Sequence, residues 1–409
     1  MDTENELPSA LSGIRVLDLS TVVMGPYAAQ ILGDLGADVI KVEAPSGDVS
    51  RSSFPQLHPG MSALALHVNR NKRSLGLNLK MPEGREAFLK LVETADVVVT
   101  NMRPGALQRL RLEHPVLAER NPRLVYCHAQ GFRSDSRFAD RAAYDEVVQA
   151  ASGMVYLMQR LTGTPYYVPT ILADKLCALT IVYSVLAALA HRLRTGEGQH
   201  VEVPMTDTLL TFNLLEHLVG NTFLPAAGPM GYSRTITPMH RASATSDGWA
   251  CIMPYTPKNI RDFFHAAGRP ELAEDERFAS TRSLAQHAAE LYELIEELAG
   301  EKTTAEWEQL CVEYSIPFAP VLTAAEVTQD PYITEGGPLT VEEHPTEGPH
   351  RVIQPPVRFS ASPSRVRRHC PTIGQHTTEV LTELGYSEDE IARLIAEGAA
   401  GGSAQAASP

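Results

Sequence analysis

Short runs of consecutive apolar residues alternate along the chain with longer segments whose apolar residues lie three or four positions apart. Residues 14–20 (IRVLDLS) form the first run and residues 37–43 (ADVIKVE) the second. Between them, residues 25–36 (GPYAAQILGDLG) have the spacing of an amphipathic helix. A strand, a helix and a second strand in this order predict a βαβ unit with parallel strands and a right-handed crossover.

The same alternation continues to about residue 210. Further strands are predicted at 74–80, 96–101, 123–131 and 200–205, and long helices at 82–95 and 172–194. The second of these helices runs into RTGEGQ, a turn with the glycines that commonly end a helix. This alternation is typical of an α/β protein whose doubly wound parallel sheet carries helices on both faces.

The pattern changes after residue 223. Residues 224–239 are rich in Gly and Pro and indicate a linker, and residues 246–255 (SDGWACIMPY) indicate a hairpin. Helical segments follow, and one more helical region lies near the end of the chain. Two domains are the natural expectation for 409 residues.

Composition excludes several functional classes. The chain is 44% hydrophobic and 21% charged with a formal net charge of -14, which indicates a globular protein and argues against a general nucleic-acid binder. Its five cysteines form no CxxC pair, its first residues are polar and acidic, and its apolar stretch at 176–190 is shorter than a membrane span. We therefore expect a cytoplasmic protein with no membrane or nucleic-acid partner. The histidines show no ligand spacing, so we expect no metal site.

The turn after the first predicted strand, TVVMGPYAAQ, lacks the glycines of a dinucleotide or P-loop motif. The helix that opens at Gly25 and Pro26 could present backbone N–H groups to an oxygen or a thioester. It could equally be an ordinary helix that begins with proline.

Two basic segments stand out in an otherwise acidic chain. Arg70, Lys72 and Arg73 enter one predicted strand, and Arg103 and Arg109 follow another. Because ligands of open α/β sheets bind at the carboxyl ends of the strands, these cations suggest a polyphosphate such as a nucleotide 3′-phosphate and diphosphate. A solvated run of charges is the alternative interpretation.

Two aspartates each precede a helical segment. Asp145 opens VVQAASG and Asp174 opens KLCAL, and acids in such positions commonly cap helices. A carboxylate can instead be a covalent nucleophile that forms an anhydride or a thioester with an acyl group. Local sequence leaves both alternatives open.

Several motifs in order carry a resemblance to a known family. Residues 11–51 resemble the opening of the class III CoA-transferases, which include the formyl-CoA and carnitine CoA-transferases and the related alpha-methylacyl-CoA racemase. The match continues in family order through NKRSLGLNLK, ADVVVTNMRPGAL, NPRLVY, AAYDEVVQAASGM and HRLRTGEGQHVEVPMTD. It is strong over 11–210 and looser over 240–380.

The resemblance implies a Rossmann-like large domain and a smaller α+β domain, in a homodimer whose protomers interlock like linked rings. The large domain would comprise 1–223 plus 334–409, and the small domain 224–333. The expected activity is transfer of CoA from an acyl-CoA to a carboxylic acid, with no tightly bound cofactor. The resemblance makes Asp145 the nucleophile and implies contacts to CoA from Met24, Lys72, Arg73, Leu77, Lys80, Asn101, Met102, Arg103 and Arg109.

The chain also departs from the family pattern. The racemase has a histidine before the aspartate, whereas this chain has Tyr144, which favours transfer over racemisation; Asp174 occupies the position of the racemase's other base. Val23 replaces an active-site glutamine of formyl-CoA transferase, and the glycine-rich lid of that enzyme is not visible. A 2-methylacyl-CoA racemase or a non-catalytic CoA-binding protein remain alternatives, and the donor and acceptor acids are not identified.

Overall fold

A computed structural model describes residues 8–401, and of Thr281, Ala285 and Gln286 the backbone alone. The described strands are β1 (Arg15–Leu19), β2 (Asp38–Glu43), β3 (Lys72–Gly76), β4 (Val97–Thr100), β5 (Val125–Gln130), β6 (Gln199–Pro204), β7 (Ser243–Ala244), β8 (Trp249–Ile252), β9 (Phe318–Pro320), β10 (Leu339–His344) and β11 (Gly348–Ile353).

The helices of the first half of the chain are α1 (Met24–Asp34), α2 (Ala63–Val68), α3 (Pro82–Glu93), α4 (Pro104–Leu110), α5 (His114–Arg120), α6 (Asp145–Ala151), α7 (Met154–Thr162), α8 (Leu172–Thr195) and α9 (Met205–His217). Those of the second half are α10 (Pro257–Ala266), α11 (Pro270–Ala273), α12 (Thr281–Gln286), α13 (Ala288–Ala299), α14 (Thr304–Glu313), α15 (Ala324–Val327), α16 (Pro331–Thr334), α17 (Thr377–Glu383) and α18 (Glu388–Ala396). Short 3-10 turns lie at Val49–Ser52, Val219–Thr222 and Glu276–Phe278.

Six parallel strands form the central sheet in the order β3-β2-β1-β4-β5-β6. The chain direction across the sheet reverses between β1 and β4, as in doubly wound α/β folds. The prediction of a mixed α/β fold with a parallel sheet is therefore confirmed. The predicted βαβ unit at the start of the chain is β1, α1 and β2.

Each face of the sheet carries its own hydrophobic core, because successive strand residues point to opposite sides. Val97 and Val99 of β4 pack with α1 and α8, while Val98 packs with α3 and the two C-terminal helices α17 and α18. All four residues of β4 are buried, as expected for a parallel strand covered on both faces. The sheet is thus the middle layer of three.

Helix α8 is long and apolar enough by composition to cross a membrane. One face lies in the core against the sheet: Cys177, Ile181 and Val185 are completely buried and α8 packs against α1. Within the described residues, the helix therefore serves as a core element of the α/β layer.

The described residues divide into two units. The first comprises residues 8–154, 167–213 and 336–401, and contains the parallel sheet and the β10–β11 hairpin. The second comprises 155–166 and 214–335. It has a separate core around Phe263 and Trp307, and a three-stranded antiparallel sheet in which β8 is central. Of the hairpin predicted at 246–255, only β8 lies within that range; its antiparallel partner β7 precedes it, and Ser243 pairs with Ala250.

Candidate active site

A pocket of about 240 Å³ lies where four neighbouring strands of the parallel sheet end; we term it the strand-end pocket. It contains residues that follow β1, β4, β5 and β6, in the first unit of the chain. Its position includes the point between β1 and β4 where the strand order reverses, which is where open α/β sheets bind ligands. The residues that line it are Thr21, Val22, Met24, Asn101, Met102, Arg103, Pro104, Ala129, Gln130, Gly131, Ala139, Arg141, Ala143, Tyr144, Asp174 and Met205.

The turn between β1 and α1 forms one wall of this pocket. The side chain of Asn101 clamps Thr21 from the next loop: its Oδ1 accepts from the Thr21 N–H at 2.9 Å and its Nδ2 donates to the Thr21 carbonyl at 2.8 Å. A β-carbon on Gly25 would lie 2.2 Å from the Ser20 side chain, so this close approach requires glycine. The glycine at position 25 thus has a packing role in bringing α1 close to the end of β1.

Four completely or almost completely buried charges lie beneath the turn. Lys72 Nζ donates to Asp18 at 2.7 Å, and Lys41 Nζ donates to Asp48 at 2.9 Å. Burial alone would raise the pKa of Asp18, but Lys41 and Lys72 hold that pKa at about 2. Each lysine also donates to a backbone carbonyl of the turn, Lys41 to Ser20 at 2.6 Å and Lys72 to Pro26 at 2.8 Å. The ammonium group of Lys72 is therefore fully engaged inside the protein.

Asp145 and Asp174 meet at the start of α8. Asp145 is buried, and its Oδ1 accepts from the backbone N–H groups of Ala173 at 2.6 Å and Asp174 at 3.3 Å. Its Oδ2 accepts from Gln149 Nε2 at 2.5 Å. Asp145 thus caps α8 and not α6, the helix that it begins. Local sequence had suggested that Asp145 caps the helix that follows it directly. The hydrogen bond from Ala173, 28 residues further along the chain, could not be read from local sequence.

Asp174 has a different environment. It is half-buried, lines the strand-end pocket, and its carboxylate accepts no hydrogen bond from the residues that the structure describes. Burial, together with the neighbouring carboxylates of Asp145 and Glu146, raises the pKa of Asp174 to about 6. Asp174 lies in the first turn of α8, and the partial positive charge of a helix N-terminus stabilises an ionised carboxylate there. A carboxyl group with a perturbed pKa in a cleft is a candidate for chemistry.

A second cavity of about 780 Å³ lies beside the beginnings of α3 and α4; we term it the basic cavity. Four cations line it: Lys80, Arg85, Arg109 and Arg111. Arg85 donates to the carbonyls of Leu110 and Arg111, whereas the side chains of the other three form no hydrogen bond or ion pair with the described residues. Met102 lines both cavities. Unpaired cations in a cleft are suited to phosphate groups.

The structure divides the CoA contacts that the resemblance implied into two groups. Lys80, Met102 and Arg109 line the basic cavity, and Met24, Asn101 and Arg103 line the strand-end pocket together with Met102. Lys72, Arg73 and Leu77 line neither cavity and are at most 4% exposed.

Arg73 belongs to a separate ionic cluster at the opposite edge of the sheet, where the strands begin. Its guanidinium group donates to Asp38 at 2.7 Å, to Glu379 at 2.9 Å and to Glu383 at 2.5 Å. Burial opposes the charge of Arg73, but these three carboxylates outweigh it and raise its pKa above the ordinary value. Arg73 is therefore neutralised inside the protein and ties β3 to α17.

Arg85, Arg111, Gln130 and Arg141 are additional pocket residues that the sequence patterns had not singled out as binding groups. Arg85 lies on the amphipathic helix α3 and Arg111 directly follows α4. Charged residues are ordinary in such positions, so no local signal separated these two from solvated charges. Among residues 8–401 there is no group of three or more His, Cys, Asp or Glu side chains arranged to hold a metal ion.

Comparisons with known proteins agree on one family. A profile of CoA-transferase family III matches residues 11–377. The formyl-CoA:oxalate CoA-transferases of Escherichia coli O6:H1 and Shigella sonnei are both 32% identical, over 95% of this chain and 99% of theirs. Among solved structures, Rv3272 of Mycobacterium tuberculosis is 33% identical with a TM-score of 0.79, and covers 91% of this chain and 99% of its own. A CAIB/BAIF family protein from Brucella suis is 29% identical with a TM-score of 0.79, over 92% of this chain and 100% of its own.

Proposed function

The chain belongs to CoA-transferase family III, and from this premise we propose that it transfers CoA from an acyl-CoA donor to a carboxylic acid through an aspartyl intermediate. One observation carries the proposal: Asp174 is a carboxylate without a hydrogen-bond partner among the described residues, in the wall of the strand-end pocket. Acyl transfer through a carboxylate requires such a group to be exposed to the thioester.

The basic cavity supports binding of the nucleotide end of CoA. Lys80, Arg109 and Arg111 offer unpaired charge for phosphate oxygens, and the side chains of Leu79 and Met81 offer apolar surface for the adenine. Since Met102 borders both cavities, a CoA bound there would direct its pantetheine arm past Met102 to Asp174. Arg103 and Arg141 in the strand-end pocket suit the carboxylates of the donor and acceptor acids.

We assign attack to Asp174 and orientation of Asp174 to Asp145, which differs from the role that the resemblance implied for Asp145. Both oxygens of Asp145 already accept hydrogen bonds, and attack would remove the cap of α8. Asp145 also fixes the backbone N–H of Asp174 itself. Attack by Asp145 remains the competing hypothesis, and the experiment below separates the two.

The proposed reaction begins when a carboxylate oxygen of Asp174 attacks the thioester carbonyl of the donor. The C–S bond breaks, which gives a mixed anhydride and CoA thiolate. The thiolate then attacks the Asp174 carbonyl, releases the donor acid as a carboxylate and leaves an aspartyl-CoA thioester. The acceptor carboxylate attacks this thioester to form a second anhydride and free thiolate. Attack of the thiolate on the acceptor's carbonyl gives the new acyl-CoA and restores the Asp174 carboxylate.

Each attack in this sequence develops negative charge on a carbonyl oxygen. The first N–H groups of α1, those of Met24 and Gly25, have no partner within the helix, and Met24 lines the strand-end pocket. Such groups stabilise an oxyanion at a helix N-terminus. No proton is gained or lost over the whole cycle, so the mechanism needs no additional general base.

Trapping the intermediate tests both the reaction and the identity of the nucleophile. Hydroxylamine converts an aspartyl anhydride or thioester to an aspartyl hydroxamate, which is detected by its mass. Trypsin cleaves after Arg141, Arg160 and Lys175, so Asp145 falls in peptide 142–160 and Asp174 in peptide 161–175. Donors should include formyl-CoA and succinyl-CoA, with oxalate among the acceptors.

We expect the label in peptide 161–175, and we expect its loss, together with loss of transfer, in Asp174→Asn. The variant Asp145→Asn should keep the label in that peptide at a lower rate. A label in peptide 142–160 would instead make Asp145 the nucleophile. Solvent deuterium at Cα of a 2-methylacyl-CoA without transfer would indicate a racemase, and tight CoA binding without turnover a binding protein.

We also propose that the protein is a homodimer. Leu179 and Tyr183 lie one turn apart on α8 and are 51% and 62% exposed, which leaves a large apolar face of this helix without a partner among the described residues. Contiguous exposed apolar surface of this kind marks interaction sites. Sedimentation should give twice the protomer mass of 44.6 kDa, and Tyr183→Lys should lower it; a wild-type monomer would contradict the proposal. Interlocking of the protomers and a cytoplasmic location remain predictions.

A further inference from the structure

The turn between β1 and α1 has an unusual backbone. Val22 has φ of +69°, in the left-handed region that β-branched residues rarely adopt. It lines the strand-end pocket between Thr21 and the first residues of α1. A strained residue in such a place persists only where the surrounding structure holds it.

Asp48 provides that hold from a distant segment of the chain. Its Oδ1 accepts from the Val22 N–H at 3.2 Å and from the Ser50 N–H at 2.9 Å, and its Oδ2 accepts from Lys41 Nζ at 2.9 Å. Asp48 is 4% exposed, so water does not compete for these contacts. Its backbone N–H donates to Glu43, which fixes Asp48 in turn.

The remaining buried charges act on the residues at either side of Val22. Lys41 donates to the Ser20 carbonyl before Val22, and Lys72 donates to the Pro26 carbonyl after it. Asp18 accepts from the Ser20 N–H at 3.1 Å and links the two lysines. The charges of the two lysines and of Asp18 and Asp48 balance, so the cluster excludes water without leaving an unpaired buried ion.

We propose that Asp48 is a positioning residue for the reaction, because it fixes the left-handed backbone at Val22 and thereby the N–H groups that α1 presents to the reacting carbonyl. This inference rests on the proposed function for its kinetic consequence. It assigns no contact between Asp48 and substrate. The effect of Asp48 passes through Val22 N–H and Lys41.

The variant Asp48→Asn tests this role with little change of shape. Asparagine has a single acceptor oxygen and cannot serve both Lys41 Nζ and the two backbone N–H groups. Asp34→Asn is the matched control: Asp34 is 3% exposed and pairs with Arg70 at 2.7 Å, and it lies at the other end of α1, away from both cavities. Both variants lose a buried ion pair, but only Asp48→Asn removes a contact to the turn between β1 and α1.

We expect kcat of Asp48→Asn to fall about 10- to 100-fold, since small displacements of preorganised groups have effects of this size. The KM for acyl-CoA should stay within about twofold, because the basic cavity is untouched. Asp34→Asn should lower thermal stability to a similar degree and leave kcat within about twofold. Equal losses of kcat in both variants would overturn the proposal, since the effect would then be general destabilisation.

A second-site change provides an independent test. Glycine adopts positive φ without strain, whereas alanine does not. In the Asp48→Asn background, Val22→Gly should therefore recover part of the lost kcat, and Val22→Ala should recover less. Recovery that is equal for the two changes, or none at all, would contradict the role of Asp48 at Val22.

Hydrogen exchange separates this inference from the proposed function. Amide exchange of residues 20–25 should accelerate in Asp48→Asn and not in Asp34→Asn, whether or not the enzyme transfers CoA. If wild-type protein transfers no CoA while exchange responds as expected, the proposed function fails and the positioning of the turn stands. If transfer occurs and neither exchange nor kcat changes in Asp48→Asn, the positioning role is refuted.

Discussion

Lys72 and Lys80 are eight residues apart, and the resemblance assigned both to CoA, but the structure gives them opposite environments. Lys72 is completely buried, and its ammonium group donates to Asp18 at 2.7 Å, to the Pro26 carbonyl at 2.8 Å and to Asn69 at 3.0 Å. Lys80 is exposed and its side chain has no partner among the described residues. The same substitution by methionine should therefore have different consequences at the two positions.

The magnitudes follow from the contacts. In Lys72→Met, Asp18 retains only Lys41, 3.8 Å away, as its counter-ion, and breaking a buried pair in this way costs about 3–5 kcal/mol. At roughly 2–4 °C per kcal/mol for a domain of this size, Tm should fall by about 6–20 °C. In Lys80→Met, stability should change by no more than about 0.5 kcal/mol, as is typical of surface substitutions. Loss of a charge-assisted contact to phosphate should weaken CoA binding by about 1.5–3 kcal/mol, or roughly 10- to 150-fold.

Thermal unfolding and calorimetric titration with CoA measure the two effects on the same samples. The CoA titration of Lys72→Met is made well below its Tm, where its affinity should match wild type. The reasoning fails if Lys72→Met keeps its Tm and loses CoA affinity, since the buried ammonium group would then reach the ligand. It also fails if Lys80→Met binds CoA as tightly as wild type.

Three further outcomes are expected. Because burial and the neighbouring carboxylates raise the pKa of Asp174 to about 6 and attack requires its ionised form, kcat/KM should be level above about pH 7 and fall towards tenfold per pH unit well below pH 6; a level profile down to pH 4.5 would contradict attack by Asp174. Asp145→Asn removes a neighbouring negative charge that raises this pKa, so the acid limb should move to lower pH, and an unmoved limb would count against the coupling. Gly25→Ala should lower Tm, because its β-carbon would lie 2.2 Å from Ser20 and overpacking costs about 1–3 kcal/mol. Gly105→Ala, also the second residue of a helix, meets Arg109 at an ordinary 3.6 Å and should leave Tm within about 2 °C of wild type.

Strand β3 shows what a local sequence pattern cannot predict. Alternating leucines predicted a strand over 74–80, whereas β3 pairs with β2 only over Lys72–Gly76. The residues that follow pair with the end of the chain: Leu77 bridges to Ala400, and the Asn78 N–H donates to the Ala399 carbonyl at 2.9 Å. The apolar pattern indicates that these residues are buried, and they are buried both where they pair with β2 and where they pair with the end of the chain. The pattern does not indicate which segment is the partner.

For the charged residues of the site, too, local sequence identifies the residues but not their partners. The basic segments were identifiable from sequence, and Lys80 and Arg109 line a cavity. Lys72, however, is neutralised by an acid 54 residues away. Arg73 is neutralised by one acid 35 residues away and by two that are more than 300 residues away. Asp145 and Asp174 are equivalent by local sequence, since each precedes a helix. Their environments differ because Asp145 accepts hydrogen bonds from backbone N–H groups at the start of α8, the helix to which Asp174 belongs.

The sequence by itself determined the α/β class, the parallel sheet and the family, because hydrophobic periodicity and ordered motifs are local properties that one chain displays in full. Only the tertiary structure decided which charged groups are paired and which face a cavity. Pairing depends on distances between residues far apart in the chain, and the free energy of an ion depends on its partners and its exposure to water. For that reason the composition of the candidate site was predictable, and the division of its residues between holding the fold and meeting the substrate was not.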